Sequence, residues 1–462
     1  MKALLTKKNI LLAILLLLLL KTVITIFVNI NGQNIDNERT DKYLQTVRAA
    51  QNENEQEKLP NIVFILTDDL GYGDLSSYGS TLINTPNIDA LADQGIKLTN
   101  FYSPSSLCSP ARAGILTGRY PQRAHVPAVL FDSDTVIGTV RKYLGYYSYG
   151  MDGLSPDEAT VSEVLQAKGY STAVLGKWHL GSRAGYLPKD NGFDYAYIPD
   201  DTEDKTTLTK KFTKKIVNFI DENKANPFFV YYSQPIPHEP LFRVKEFADK
   251  TKAGKYGEMV QEVDWSIGVI MKKLAELGLE ENTLVIFSSD NGPYRLGNSG
   301  GVRGGKGQTT LGGQRVPFIA YWPGVIPAGQ VSDEMAMGFD IFPTALSMAG
   351  IPLPDDRIID GKNILPLLTG EEKQSPHEYL YMINDKTVES VLDKQGNKYQ
   401  IRTNPPNSKF WYMKTGPYFF NVYDDPSESY STLELNLEKA DAYKNKINAF
   451  QAELDNDLRG WR

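Results

Sequence analysis

Thiol and imidazole are scarce in this chain: one cysteine and four histidines among 462 residues. A single cysteine, Cys108, excludes any internal disulfide. It lies far beyond the N-terminal apolar run, which excludes a lipid anchor attached there through a thiol. No Asn-x-Ser/Thr sequon occurs, no internal repeat is visible, and no low-complexity tract follows residue 58. Positive charge is in deficit. The formal net charge is −7, and the first 33 residues hold four lysines and no acid, so without them it becomes −11. An acidic surface argues against nucleic acid as a partner. It leaves an anionic substrate open, because a local cluster of lysine, arginine and histidine dominates its own pocket.

Hydrophobic residues at 41% and charged residues at 23% are ordinary for a soluble globular enzyme. The length suits one large domain with an appendage, or two domains. Residues 1–33 read as an export signal: Lys2, Lys7 and Lys8 precede an apolar run over 10–20, and a second run covers 22–30 after Lys21. No clean Ala-x-Ala site follows, so an uncleaved N-terminal anchor is the alternative. An exported protein with one cysteine and no sequon fits a bacterial periplasm better than a eukaryotic secretory route. An extracellular or membrane-anchored location stays open. Residues 34–59 form a polar linker with some helix around 42–50, and folded structure is expected from Asn61. The main domain then covers 60–375 and a C-terminal subdomain 376–462.

The main domain alternates strands and helices. Residues 62–67 (Ile-Val-Phe-Ile-Leu-Thr) make the short continuous apolar run of a buried parallel strand. Thr160 and Glu163 form a capping box that opens a helix closed by Gly169. Residues 171–175, 227–233 and 283–289 read as further strands. Val260, Val263, Ile267, Ile270, Met271, Leu274 and Leu277 recur at helical spacing before Gly278. This is the pattern of an α/β sandwich with a large, mostly parallel sheet. Polar motifs follow four of the strands: Asp68-Asp69, Lys177-Trp178-His179, His238, and Asp290-Asn291. Sites in open α/β sheets form beyond the carboxyl ends of strands, so the four motifs predict one shared pocket. Beyond about residue 375, residues 379–382, 409–413 and 418–422 read as short antiparallel strands. Asp424-Asp425-Pro426 reads as a turn and 440–458 as a terminal helix.

Asp68, Asp69, Asp290 and Asn291 offer only hard oxygen ligands, which select Ca²⁺ or Mg²⁺ over zinc. Singly, each pair also reads as a strand-end turn or a helix cap. Cys108 should lie just before a helix starting near Pro110 or Ala111, whose free N–H groups favour an anion. Lys177 and His179 flank Trp178, which places both on one side of the chain. Prolines 237 and 240 fix the backbone around His238, and a histidine there is able to donate a proton near neutral pH. Glycines around Lys306 permit close approach to an anion. Taken alone, each histidine also reads as a structural residue, and Cys108 as a small buried hydrophobe.

Cys108-Ser-Pro-Ala-Arg112, with Thr117-Gly-Arg119 after it, resembles the signature of the formylglycine-dependent type I sulfatases, an arylsulfatase-like branch of the alkaline phosphatase superfamily. Asp68-Asp69, Gly176-Lys177-Trp178-His179-Leu180-Gly181, Pro237-His238-Glu239-Pro240, Asp290-Asn291 and Arg303-Gly-Gly-Lys306-Gly match the same family in the same order. The resemblance covers roughly residues 60–435. It implies an alkaline-phosphatase-like sandwich with a small C-terminal antiparallel sheet-and-helix subdomain. It implies that Cys108 is oxidised to formylglycine by a maturation enzyme. It further implies one Ca²⁺ held by Asp68, Asp69, Asp290, Asn291 and an oxygen of modified Cys108. By the same resemblance Arg112 holds the modified residue, and Lys177 and Lys306 contact the sulfate. His238 protonates the leaving oxygen, and His179 orients the formylglycine hydrate and helps break down the sulfated intermediate. Leu311 stands where many relatives have glutamate, which puts the local support of that loop in doubt.

The expected activity is hydrolysis of a sulfate ester on a carbohydrate, poly- or oligosaccharide, by an exported enzyme of polysaccharide degradation. The rivals are a phosphodiesterase or phosphonate monoester hydrolase of the same superfamily, and a catalytically silent glycan-binding relative. His125 falls at the pocket rim or on the surface, and His377 is expected to be exposed in the subdomain linker. The tyrosine-rich insertion at 131–151 reads as a surface loop or as a sugar-stacking platform.

Overall fold

The computed structural model describes residues 16, 19, 38–51, 58–130, 153–200, 202–401 and 416–462. The insertion at 131–151, the expected strand at 409–413 and nearly all of the expected export segment fall outside these residues. Eight strands form the main sheet. They are β1 (Asn61–Asp68), β2 (Ile96–Tyr102), β3 (Ser171–Gly176), β4 (Tyr195–Tyr197), β5 (Phe228–Pro237), β6 (Thr283–Ser289), β7 (Phe318–Tyr321) and β8 (Gln330–Met337). Their order is β4-β3-β5-β1-β6-β7-β2-β8. β7 pairs antiparallel with both β6 and β2, so it alone among these strands runs against the rest.

The apolar run of β1 shows why helices cover both faces. Side chains alternate across a strand. Ile62, Phe64 and Leu66 enter one core; Val63 and Ile65 enter the other. The first core lies under the helices Cys108–Thr117, Val161–Ala167 and Ile341–Met348. The second lies under Pro86–Gln94, Leu208–Asn223 and Gly254–Glu276. The capping box forms as its sequence requires: Thr160 accepts from the Glu163 N–H, and Glu163 Oε2 accepts from the Thr160 N–H at 2.9 Å.

Folded structure starts earlier than Asn61. The helix Glu38–Gln51 buries Leu44 and Val47 in the first core, and Thr40 donates to the Asp157 carbonyl at 2.7 Å. Tyr43 packs beside them and donates to the Pro352 carbonyl at 2.7 Å, so a short apolar stripe docks an otherwise polar helix. His377 is also not exposed. It is buried, with Nε2 2.8 Å from Asp340 Oδ1, because the segment carrying it packs on Phe339.

The C-terminal part is a second sheet, β9 (Tyr379–Asn384), β10 (Thr387–Asp393), β11 (Asn397–Gln400) and β12 (Tyr418–Asn421), in the antiparallel order β12-β11-β10-β9. The helix Leu437–Asn456 covers it through Ala440, Tyr443, Ile447 and Leu454. β10 and β11 escape a periodicity reading because both faces are buried and polar residues such as Glu389, Lys398 and Gln400 point inward.

Glu262, on the helix Gly254–Glu276, is buried, and burial pushes its carboxyl up to about 7 against a smaller pull from Thr209. A raised folded-state value means that ionisation opposes folding. The cost is absent below the unfolded value and complete above about 7. Glu262→Gln is therefore expected to stabilise the protein by about 1–3 kcal/mol at pH 8 and by much less at pH 5, as read by denaturant midpoints at the two pH values.

Candidate active site

β3, β5, β1 and β6 are neighbours in the sheet, and their carboxyl ends lie in register: Gly176 opposite Ser233, Leu66 opposite Ser233 and Ser288, and Asp68 opposite Pro237. This row places Asp68 and Asp69, Lys177, His238, and Asp290 and Asn291 together. The turns out of the strands are tight. Gly176 has φ 109°, and a Cβ there would lie 1.9 Å from the Ser233 carbonyl oxygen. Asp69 and His179 adopt left-handed conformations, φ 65° and 57°, unusual for residues with a side chain.

Facing the row is the N-terminus of the helix Cys108–Thr117. The helix begins about two residues earlier than expected, because Leu107 takes the cap position and its carbonyl accepts from the Ala111 N–H at 3.0 Å. Cys108 is thus in the first turn, buried, with Sγ 3.5 Å from Asp68 Oδ1. The cap residue Leu107 has no side chain able to cap this end, so first-turn N–H groups are left for an anion at the cluster.

Arg112 lies one turn further on and is fully buried. Its Nε and Nη2 donate to Asp290 Oδ2 at 3.1 and 2.7 Å, and its Nη1 donates to the Lys177 carbonyl at 3.0 Å and to Ser233 Oγ. Ser233 Oγ in turn donates to the Lys177 carbonyl. Lys177 Nζ reaches Asp68 Oδ2 at 2.5 Å, and Lys306 Nζ reaches the two Asp69 oxygens at 2.6 and 2.8 Å.

Charge and burial set the protonation states. Burial pushes the Asp68 carboxyl up, but Lys177 and Arg112 outweigh it and hold the group well below the usual range. Burial and the Asp68 carboxylate raise Asp290. For both lysines burial opposes the charged form, and the surrounding anionic groups reverse the balance and raise their values. Burial, then Asp68, pushes the Cys108 thiol up, so the unmodified cysteine is a protonated thiol and a poor nucleophile. Burial, with Lys177 and Arg112, holds His179 well below its ordinary value and therefore neutral. Its Nε2 lies 2.9 Å from the Leu130 carbonyl oxygen and must carry the proton. Nδ1 is then a buried lone pair with no partner among the described residues. His238 has Nδ1 2.6 Å from the Glu239 carbonyl oxygen and Nε2 3.6 Å from Asp69 Oδ2.

The donor set fits a hard cation. Ligand atoms of Asp68, Asp69, Cys108 and His238 lie within 4.8 Å of one another. Asn291 Nδ2 donates to Asp69 Oδ1 at 2.7 Å, while its buried Oδ1 has no donor among the described residues. An unpartnered amide oxygen beside two carboxylates suits Ca²⁺ or Mg²⁺. His238 lies close to this group, and Asp290 borders it, with Oδ2 engaged by Arg112 and Oδ1 accepting from the Asp69 N–H at 3.3 Å.

Two supports are invisible to motif reading. One is Ser233. The other holds the loop that carries Lys306. Glu428 Oε2 accepts from the Leu311 N–H at 2.8 Å, its carbonyl accepts from Arg303 Nη1 at 2.8 Å, and its Oε1 accepts from buried Lys398 Nζ at 2.6 Å. Lys398 also donates to the Thr309 carbonyl at 2.8 Å, and Glu389 and Gln400 hold the Thr309 hydroxyl. A carboxylate thus supports the loop from the turn that follows β12, while Leu311 itself packs in the core under the C-terminal sheet. His125 does not line the pocket; it is half-buried beside Arg459.

A family model described as Sulfatase matches residues 60–351, and one described as N-sulphoglucosamine sulphohydrolase, C-terminal, matches residues 312–457. Human steryl-sulfatase is 33% identical over 70% of this chain and 72% of its own length. Human N-acetylgalactosamine-6-sulfatase is 35% identical over 75% of this chain and 72% of its own length. Among solved structures, Ps i-CgsB in complex with k-i-k-neocarrahexaose is 27% identical, with a TM-score of 0.74 over 87% of this chain and 95% of the other. The chain belongs to the sulfatase family of the alkaline phosphatase superfamily and is a sulfuric ester hydrolase.

Proposed function

We propose that this sulfatase removes sulfate from a sulfated poly- or oligosaccharide, using formylglycine made from Cys108 by a maturation enzyme, with one Ca²⁺ in the carboxylate cluster. The observation that carries the reading is the buried Cys108 in the first turn of a helix, its Sγ within 4.8 Å of ligand atoms of Asp68, Asp69 and His238. A carbohydrate substrate draws support from the names of N-acetylgalactosamine-6-sulfatase and of the neocarrahexaose complex. The N-terminal run of lysines and apolar residues, read as an export signal or anchor, supports a location in a bacterial periplasm, outside the cell or at a membrane.

Asp68, Asp69, Asn291 and the Asp290 oxygen left by Arg112 would hold the Ca²⁺, which supplies positive charge for the sulfate oxygens. Formylglycine supplies the nucleophilic oxygen and, after transfer, a route to release sulfate. The chain's own residues do the rest. Arg112 fixes the helix that carries residue 108. Lys177 and Lys306 turn from the carboxylates to the sulfate oxygens and stabilise charge there. His238 gives a proton from Nε2 to the departing sugar oxygen. His179, neutral and with Nδ1 free, takes the hydroxyl proton whose loss releases the sulfate.

Three outcomes are expected. Tryptic digestion should release residues 98–112 with a mass about 18 Da below the cysteine form, the change that makes the nucleophile, and Cys108→Ala should abolish turnover. A persistent thiol in protein made with an active maturation enzyme, or near-normal turnover by the alanine variant, would refute the reading. Higher rates on phosphate than on sulfate esters would favour the phosphodiesterase rival. Secondly, chelation by EGTA should lower both activity and the melting temperature, and added Ca²⁺ should restore them. Thirdly, Glu428→Gln strands a buried lysine. It should cost about 3–5 kcal/mol of stability and reduce kcat, while adding Lys398→Met should recover most of the stability in denaturant titrations.

A further inference from the structure

A cavity of about 380 Å³ opens from the catalytic cluster, past Lys177, His179 and His238, and continues beyond them along residues 198–200 and 205–209. Part of its far wall is apolar, made by Ile198, Leu208 and Phe242. The described acidic groups around that stretch are committed to local partners. Asp200 Oδ1 accepts from the Thr202 N–H at 2.8 Å and from its hydroxyl. Glu203 Oε2 accepts from Tyr197 OH at 2.6 Å and Lys211 Nζ at 2.7 Å. Asp204 Oδ1 accepts from the Thr206 N–H at 3.0 Å and its hydroxyl at 2.8 Å. Lys205 lines the cavity and is exposed, and among the described residues no hydrogen bond or ion pair engages it. Glu239, next to His238, faces the same space.

We propose that this cavity is the leaving-group subsite and takes an acidic sugar unit, one bearing a carboxylate or a second sulfate, whose anionic group is held by Lys205. The inference rests on the sulfated-carbohydrate reading and deepens it. The scissile oxygen must face His238, so the remainder of the leaving group extends into the space beyond that residue. A sugar ring presents C–H faces to Ile198, Leu208 and Phe242 and hydroxyls to Glu239. Its acidic group meets the uncommitted ammonium. A wholly apolar leaving group would gain nothing from Lys205 or Glu239, which stay hydrated, so the polar lining adds affinity only for a ligand that carries an anionic group and hydroxyls. A volume at the lower end of the usual range for small-ligand sites (roughly 300–1,000 Å³) suits a short piece of glycan.

The test uses full-length, Cys108-converted enzyme with two substrates: a 6-sulfated N-acetylhexosamine, and a disaccharide with the same sulfated residue linked to a uronic acid. Lys205→Ala should raise KM for the acidic disaccharide about five- to tenfold relative to the neutral sugar, with kcat little changed. Lys205→Glu should raise it further, and Lys205→Arg should restore it. In the wild type, added salt should weaken the preference for the acidic substrate. Equal KM changes on both substrates, or a wild-type preference for the neutral sugar, would overturn the subsite. If the converted wild type hydrolyses no sulfated sugar but does hydrolyse an aryl or steryl sulfate, the carbohydrate reading itself fails, and the subsite with it.

Discussion

The buried guanidinium of Arg112 is the constraint on which the site depends. It enters from a helix on one face of the sheet and binds three strand ends at once: Asp290 after β6, the Lys177 carbonyl after β3, and Ser233 within β5. A planar fork of donors makes such a three-way bond; an ammonium would not. Removing an arginine from so dry a place would leave Asp290 as an unpaired buried charge. The position of residue 108, four residues before it on the same helix, follows from that anchoring.

The second constraint is repulsion. Asp68, Asp69 and Asp290 are all buried, and such a group is held together only by positive charge. Arg112, Lys177 and Lys306 provide it, each within hydrogen-bond distance of a different carboxylate. The same balance suits a sulfate ester, because cations already gathered for the carboxylates surround the place where an anion would sit. Left-handed backbone at Asp69 and His179 belongs to this picture. Both conformations cost energy, and both turn side chains toward one point.

The C-terminal sheet contributes none of the residues assigned to chemistry, yet it fixes one of them. Lys306 sits on a glycine-rich loop with little stiffness of its own. Glu428, Lys398, Glu389 and Gln400 hold that loop from below through buried polar bonds. The loop also closes against the end of β6, where a Cβ at Gly292 would lie 1.8 Å from the Gly312 carbonyl oxygen. The small sheet and the large one therefore act as a single support for the site.

Much of this was legible in the sequence, because it depends on local pattern. Continuous apolar runs specify buried parallel strands, a capping box opens a helix, and polar residues just past strand ends must gather where the strands end together. The residues of the cluster could be named from those rules and from the family resemblance. The tertiary structure decided what depends on contacts between distant segments. Ser233 stands 121 residues from the guanidinium it binds, Glu428 stands 117 from the loop it supports, and His377 is buried by a packing partner that no spacing rule supplies. The helix Glu38–Gln51 looked like a polar linker because few apolar residues dock it, chiefly Leu44 and Val47 with Tyr43 beside them, and their burial depends on the core they meet. Local sequence dictates conformation and side-chain direction. Only the closed fold dictates which charges meet, and that determines which of them are satisfied and which, like Lys205, have no partner among the described residues.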